Sequence, residues 1–450
     1  MAAFNRRQFL KATGAGAAAA FATYPGGAFA QGVGIAAPFN DYKALVCVFL
    51  FGGNDSYNML VPKSNAEYGV YAASRQNLAI PQADLLPIAP QTSDGAAYGL
   101  HPSMGGLQGL FGSNRVALIS NMGPLVEPTT RDQFLNGAAT LPPQLFSHND
   151  QMDQWHTLKG AGVSKTGWAG RVADLIQLNV AGQQMATNAS LFGSSLFQSA
   201  NDTIAYVMGP GGPIPFDGFG DTSPFLEQRQ AFANIIGANY DSIYERGYAE
   251  IQQRAVASAD LVSNAIANAP VRNTVFPQSV LGQQLQTIAR LIDVRDDLQM
   301  QRQIFFVGAG GFDSHDDQNI NQPGLLGGVS DALTAFYDAT VEIGVADSVT
   351  SFTQSDFART LTSNGDGTDH AWGGIQLVVG DAVNGDMYGT YPSLQIGGGN
   401  DVGGGRLIPT TSADQYAATL AKWFGIDDVD LSSVAPNLDN FIQRDLGFML

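Results

Sequence analysis

The stretch ALVCVFLFGGNDSYN (44–58) places an unbroken apolar run, 44–51, directly before a polar turn that contains Asn54 and Asp55. A strand with one exposed face alternates apolar and polar residues, whereas a strand of a parallel sheet is covered on both faces and is apolar throughout. The run therefore predicts a buried strand of a parallel sheet, and the turn marks the carboxyl end of that strand.

Similar apolar runs recur along the chain and are separated by helical patterns. Each run predicts a further buried parallel strand, and the runs lie at 115–120, 303–308, 348–355 and 375–380. Apolar residues repeat with helical spacing in three longer stretches, 223–269, 279–303 and 412–425. This order of elements predicts an α/β fold with a mainly parallel central sheet.

The N-terminal segment resembles an export signal. Two adjacent arginines stand in NRRQFLK (5–11), which resembles the twin-arginine signal, and AFA (28–30) resembles a signal-peptidase site. We expect residues 1–30 to direct export through the twin-arginine translocase, so that the protein is periplasmic or secreted. The alternative is a short membrane anchor, but the segment is rich in Ala and Gly and lacks the roughly 20 strongly apolar residues that span a bilayer.

The remainder, 31–450, is expected to form a single domain without a stable membrane anchor, with a surface excursion or small cap near 180–222. The net charge is −18, and it becomes −21 once the three basic residues of the signal are removed. Such a chain repels nucleic acid and anionic membrane surfaces. Cys47 is the single cysteine, so an intrachain disulfide is excluded, and its apolar surroundings predict a buried structural role.

Side chains with metal-binding chemistry flank four of the predicted strands. For example, FFVGAGGFDSHDDQ (305–318) places an aspartate and a histidine directly after an apolar run. Because ligands bind at the carboxyl ends of strands in open α/β sheets, we expect these turns to share one rim. Carboxylate and imidazole together suit a divalent cation, zinc or manganese rather than calcium or magnesium; solvated turns are the alternative. The candidate ligands are Asp55, Asp313, His315, Asp356 and His370.

Two further residues are candidates for catalysis. Ser147 occupies a predicted helix N-terminus, where the helix dipole and a nearby cation would lower its pKa and make it a nucleophile. Simple capping of the helix is the alternative. Arg359 could bind a non-bridging oxygen of an anionic substrate, or it could form a buried ion pair. Of the three histidines outside the ligand set, His101 and His156 are interpreted as structural.

Several motifs together resemble one bacterial family, the domain-of-unknown-function family 1501. They are GGND (52–55), DSH (313–315), DFART (356–360), GTDH (367–370) and the ending GGGRLIPTTSADQYAATLAKWFGI (403–426). The family resembles a distant branch of the alkaline phosphatase and sulfatase superfamily. This resemblance implies a three-layer fold, with a central mostly parallel sheet between helices, and a two-metal site at the strand ends.

The resemblance also implies roles for individual residues. Ser147 matches the nucleophile, Asp55 the metal aspartate after the first strand, and His370 the late metal histidine. Asp313 and His315 resemble the pair of one metal, although the superfamily usually separates its pair by three residues. Asp356 resembles a ligand of the other metal, but Phe357 stands where a histidine is usual, so one metal site is a ligand short.

Two functions remain open at this point. The first is an exported metal-dependent hydrolase that acts on a small anionic substrate, a phosphate or sulfate ester. In that case Ser147 attacks the ester and the cation neutralises the transition state. The second is a non-catalytic protein of the envelope or cell surface that keeps the fold and perhaps one metal.

Overall fold

The computed structural model describes residues 37–91, 94–214 and 222–450, and the predicted export signal at 1–30 lies outside these ranges. Its strands are β1 (Lys43–Leu50), β2 (Leu60–Pro62), β3 (Leu86–Ile88), β4 (Tyr98–Leu100), β5 (Val116–Gly123), β6 (Asn188–Ser190), β7 (Tyr206–Val207), β8 (Arg302–Ala309), β9 (Val349–Ser355), β10 (Gly374–Val379), β11 (Met387–Tyr388) and β12 (Thr411–Ser412).

The α-helices are α1 (Ser56–Met59), α2 (Asn65–Arg75), α3 (Gly105–Gly112), α4 (Arg131–Leu135), α5 (His148–Thr157), α6 (Trp168–Ile176), α7 (Phe225–Ile236), α8 (Ile243–Asn268), α9 (Val280–Asp293), α10 (Gln318–Ile343), α11 (Ala413–Phe424) and α12 (Leu431–Val434). The helical stretch predicted at 223–269 is therefore two helices, α7 and α8. Within the described ranges, we find no helix that is both long and apolar enough to cross a membrane.

One sheet contains nine of the strands in the described ranges. Its order is β11–β5–β10–β9–β1–β8–β6–β7, with β12 paired to β5. β1 pairs in parallel with β8 and β9, whereas β10 runs antiparallel to both β5 and β9. The sheet is thus mixed and mostly parallel, as predicted. The strand at 375–380 was predicted to be parallel, and that prediction is wrong. A parallel strand would require a crossover, usually a helix, that returns the chain to the end of the sheet where β9 begins, and the connection 356–373 contains no helix.

Helices cover both faces of this sheet. Alternate residues of β1 point to opposite faces. Val46 and Val48 belong to an apolar core shared with α3, α9 and α10. Leu45, Cys47 and Phe49 belong to a second core shared with α5, α6 and α11. All five side chains are fully buried, and burial stabilises the fold by roughly 1.5–3 kcal/mol for each large apolar side chain. The three-layer α/β architecture is confirmed, and Cys47 is structural.

The stretch 180–222 does more than cross the surface. In its described part, β6 pairs with β8 and β7 pairs with β6, both in parallel, so the stretch extends one edge of the central sheet. These strands have three and two residues. They are too short to produce the continuous apolar runs from which the other strands were predicted. A second small sheet has the order β2–β4–β3.

Candidate metal centre

The carboxyl ends of three neighbouring strands bring polar side chains to one rim of the sheet. Asp55, Asp313 and Asp356 follow β1, β8 and β9, respectively. The backbone N–H of Gly52 donates to Oδ1 of Asp356 at 3.2 Å, which joins the turn after β1 to the turn after β9. Because β10 is antiparallel, its amino end lies at the same rim, and the loop before it brings His370 there.

Three imidazole rings lie close to the Asp313 carboxylate. The Nε2 atoms of His315, His370 and His148 lie 3.2, 3.5 and 3.6 Å from its carboxylate oxygens. The Nε2 atoms of His315 and His370 are 2.9 Å apart. In the described part of the chain, His148, Asp313 and His370 form a group whose possible ligand atoms all lie within 4.8 Å of one another. These three residues and His315 are called the rim cluster below.

Each imidazole of the rim cluster uses its other nitrogen, Nδ1, to contact an oxygen outside the cluster. The three oxygens belong to the Phe146 carbonyl for His370 (2.8 Å), the Asp356 carboxylate for His148 (2.7 Å) and the Asp369 carboxylate for His315 (3.3 Å). Because the Phe146 carbonyl and the Asp356 carboxylate accept hydrogen bonds, we assign the ring proton to Nδ1 in His370 and His148. The Nε2 lone pairs of His148 and His370 then face Asp313, as in metal-ligating histidines.

Burial and neighbouring charges set the protonation of the cluster. Burial raises the pKa of the Asp313 carboxyl, but the hydrogen bond and charge of Arg359, together with His315 and His148, outweigh it and hold this pKa below 3.8. Burial lowers the pKa of His370 below 6.5. At neutral pH, Asp313 is therefore an anion and His370 a neutral donor, which are the states that bind cations.

Asp356, predicted as a metal ligand, contacts Nδ1 of His148, the ring nitrogen that does not face Asp313. Its Oδ2 accepts from Nδ1 of His148, and its Oδ1 accepts from the backbone of Gly52. Burial raises the pKa of its carboxyl above 3.8, although these two hydrogen bonds oppose the shift. With both oxygens engaged, Asp356 orients His148 and does not itself face the other donors.

Asp55, also predicted as a ligand, lies in a separate closed ion pair. Its Oδ2 accepts hydrogen bonds from Nη2 of Arg75 and Nε2 of Gln318. Both side chains of the Asp55–Arg75 pair are fully buried, and Arg75 also donates to the Thr360 carbonyl at 2.8 Å. The structure thus places Asp55 outside the rim cluster, in an ion pair that solvent does not reach.

Arg359 forms a buried ion pair, which is one of the two alternatives that the sequence left open for it. Its side chain is fully buried. Nη1 donates to Oδ1 of Asp313 at 2.6 Å and to the Gly52 carbonyl at 3.1 Å, and Nη2 donates to the Thr368 carbonyl. The guanidinium therefore holds Asp313 in place and keeps it ionised. It has little capacity left for a substrate oxygen.

Ser147 stands at the N-cap position of α5, as predicted. Its side chain makes no capping hydrogen bond to the helix backbone. The hydroxyl instead donates to Oδ2 of Asp150 at 2.6 Å. The next residue, His148, is the member of the rim cluster that sequence reasoning missed. The available signal was its position in the first turn of the helix whose start was already placed near the metal.

An open cleft of about 430 Å³ adjoins the rim cluster. It is called the rim cleft, and it is lined by His315, His370, Phe134, Phe146, Val402, Asp369 and Arg406. The lining thus combines two metal-binding imidazoles, an apolar wall and groups of both charges. A small molecule in this cleft would contact the rim cluster directly.

Residues 42–433 match the sequence profile of a family described as "Protein of unknown function (DUF1501)". The chain belongs to this family. The membership predicted from the motifs is confirmed, and the matched range contains the whole rim cluster, Ser147 and Arg406. No curated protein matches the sequence.

Several solved structures overlap this DUF1501 chain at low identity. The lipoteichoic acid synthase LtaP from Listeria monocytogenes is 9% identical, with a TM-score of 0.36 over 86% of this chain and 73% of that chain. Ps i-CgsB is 8% identical, with a TM-score of 0.37 over 90% and 77%. BT1596, a 2-O GAG sulfatase, is 10% identical, with a TM-score of 0.28 over 86% and 71%. At such TM-scores the overlaps carry no argument about function.

Proposed function

We propose that this chain is a metal-dependent hydrolase of phosphate or sulfate esters. The observation that carries the proposal is the convergence of three imidazole Nε2 atoms on the ionised carboxylate of Asp313. His148 and His370 are anchored by hydrogen bonds through Nδ1, so these donors are oriented before any ligand arrives. Donors that are oriented in advance in this way are suited to binding a cation.

The donor set fits a divalent cation of the zinc or manganese type. The Nε2 atoms of His315 and His370 lie 2.9 Å apart, close enough for a single cation to contact both nitrogens. His148, His315, His370 and Asp313 would hold this cation, and it would act as a Lewis acid towards the ester. One cation is proposed, since Asp356 already has other hydrogen-bond partners.

Ser147 is the proposed nucleophile. As its Oγ bonds to the phosphorus or sulfur atom, Asp150 takes the hydroxyl proton across the 2.6 Å hydrogen bond. The bond from that atom to the ester oxygen breaks, the alcohol leaves with a proton from water, and the hydroxide so formed takes the proton from Asp150 and restores its carboxylate. A water molecule then cleaves the seryl ester, releases phosphate or sulfate, and returns a proton to Ser147.

The reaction is tested with zinc- or manganese-loaded protein and a panel of phosphate monoesters, diesters and sulfate esters. Wild type should hydrolyse at least one ester, and Ser147→Ala should lower kcat by at least about a thousandfold with unchanged metal content. Its stability should change by less than about 0.5 kcal/mol, because no capping bond is lost. Ser432→Ala is the matched control, since Ser432 also donates to a carboxylate, that of Asp439. Equal activity of Ser147→Ala and wild type would remove Ser147 from the reaction.

Export through the twin-arginine translocase is part of the proposal and is supported by the motif at 5–11. The protein would then act in the periplasm or outside the cell on a small anionic ester. Its net charge of −18 argues against nucleic acid as a substrate. Changing both Arg6 and Arg7 to Lys should leave the precursor in the cytoplasm. Normal periplasmic accumulation of that double variant would contradict this route.

A second candidate is a non-catalytic metal-binding protein of the envelope or cell surface. One observation favours it: the Ser147 hydroxyl is bonded to Asp150 and is not among the atoms that converge on Asp313. The same panel separates the two candidates. Fully metallated, folded protein that leaves every phosphate and sulfate ester intact would favour the binding protein.

A further inference from the structure

We infer that Arg406 is the anion-binding group of the rim cleft and that the cleft selects anions with an apolar organic part. The inference deepens the proposed function by naming the substrate class, and it rests on that function for the reaction but not for binding. Its starting point is the state of the arginines at the rim. Arg75 and Arg359 are fully buried and paired with aspartates, whereas Arg406 is half-buried and lines the open cleft.

Arg406 is held in place but keeps hydrogen-bonding capacity. Its Nε donates to the backbone carbonyl of His370 at 3.0 Å, and its Nη1 donates to the Gly403 carbonyl at 3.1 Å. The guanidinium lies over the Phe146 ring, 5.4 Å from the ring centre. In the described ranges, neither a carboxylate nor an acceptor for Nη2 contacts it. A fixed guanidinium with unused N–H groups next to metal-binding histidines is suited to a phosphate or sulfate oxygen.

The loop that presents Arg406 is built around one buried carboxylate. Asp401 is buried, and its oxygens accept from the backbone N–H groups of Gly397 (2.7 Å), Gly403 (2.7 Å) and Gly405 (2.9 Å). Gly405 has a φ of +77°, and a side chain there would lie 2.5 Å from Cβ of Leu361. The GGG of 403–405 therefore permits a loop shape that other residues could not adopt, and this shape fixes where Arg406 begins.

The apolar lining of the rim cleft indicates which anions the cleft would select. Phe134, Phe146 and Val402 form an apolar wall, and the carbonyl of Phe146 also accepts from Nδ1 of His370. The wall is thus tied to the rim cluster by the same residue. An anion that bridges the cluster and Arg406 would place its organic part against this wall, where an aryl or alkyl group loses water contact and a sugar would leave hydroxyls unsatisfied.

Binding is measured by titration calorimetry with probes that are not hydrolysed, using the mature protein after incubation with zinc. The probes are inorganic phosphate, methylphosphonate and phenylphosphonate. Arg406→Gln should weaken phosphate binding by about tenfold or more, while Arg444→Gln, which removes an exposed arginine outside the cleft, should leave it unchanged. Phenylphosphonate should bind about tenfold more tightly than methylphosphonate. Phe134→Ala should remove that preference and keep the phosphate affinity.

Two results would overturn the inference: wild-type phosphate affinity in Arg406→Gln, or equal affinity of wild type for the two phosphonates. If Arg406→Gln does not fold, Arg406→Lys takes its place, since it keeps the charge and loses the planar fork. Undiminished phosphate affinity in Arg406→Lys overturns the inference equally. Because the probes do not react, the outcome is independent of turnover. A protein that binds them through Arg406 yet hydrolyses no ester would contradict the proposed function alone.

Discussion

Asp55 and Asp313 occupy equivalent places in the sequence and opposite environments in the structure. Each follows an apolar strand of the parallel sheet, and the two strands, β1 and β8, are neighbours. The Asp55 side chain is fully buried against a fully buried arginine. The Asp313 side chain is 45% exposed and is surrounded by three imidazoles in addition to Arg359.

The difference separates a structural carboxylate from a functional one. Both carboxylates are paired with a guanidinium, Arg75 for Asp55 and Arg359 for Asp313, but the Asp55 pair is fully buried and gives a ligand no access from solvent. The Asp313 carboxylate is instead partly exposed and lies beside three imidazoles, whose Nε2 atoms can supply further ligands to a cation. A carboxylate at a strand end therefore does not reveal its role by itself; its exposure and its remaining neighbours decide that role.

The largest effect is expected from breaking the closed pair. Arg75→Met leaves the Asp55 carboxylate buried without its counter-ion, which should lower the free energy of unfolding by about 3–5 kcal/mol. Urea denaturation measures this change. Arg444→Gln is the control, because its partner Asp439 is exposed and such pairs contribute about 1 kcal/mol or less. A free energy of unfolding of Arg75→Met within about 1 kcal/mol of the wild-type value would show that the closed pair does not stabilise the fold.

A smaller effect is expected from a histidine in a closed environment. His156 lies in the same helix as His148 but packs against Phe49 and Phe306, with ring centres 4.9 and 5.6 Å away. Burial lowers the pKa of His156 from 6.5 to about 3. Its neutral form is therefore favoured by folding. The resulting stability is complete above pH 6.5 and is lost as the pH falls from 6.5 towards 3, by about 1.4 kcal/mol per pH unit.

The free energy of unfolding should therefore fall by about 2 kcal/mol between pH 6.5 and pH 5 on account of His156. His156→Phe should remove this part of the pH dependence. The contribution of His101 remains, since burial lowers its pKa to about 4. Denaturation curves at the two pH values check the prediction. Identical pH dependence in wild type and His156→Phe would show that this ring is not desolvated as described.

The sequence predicted the strands at the rim well because continuous apolar runs are diagnostic of strands buried on both faces. It did not predict the direction of β10, which depends on the connection from β9 and on no residue within the strand. That direction matters for the site. A parallel β10 would begin at the opposite edge of the sheet, whereas the antiparallel strand starts at the rim and delivers His370 to Asp313.

The partners of the candidate residues were harder to predict than their positions. Arg75, which neutralises Asp55, lies at the end of α2 and carries no signature in the sequence that links it to that aspartate. Arg359 and Arg406 are both arginines near the rim, yet only the fold shows that one is buried and the other lines the cleft. His148 was not predicted as a ligand, because only its neighbour Ser147 carries a recognisable signal, that of a helix N-cap.

The central claim is that the rim cluster, and not the closed pair beside it, holds a divalent cation. Elemental analysis tests it on wild type, His370→Ala and His156→Phe, each incubated with zinc and then desalted. We expect about one cation per chain in wild type and in His156→Phe, and a strongly reduced content in His370→Ala, since one of the four proposed ligands is lost. Wild type that retains no cation, or His370→Ala that retains as much as wild type, would contradict it.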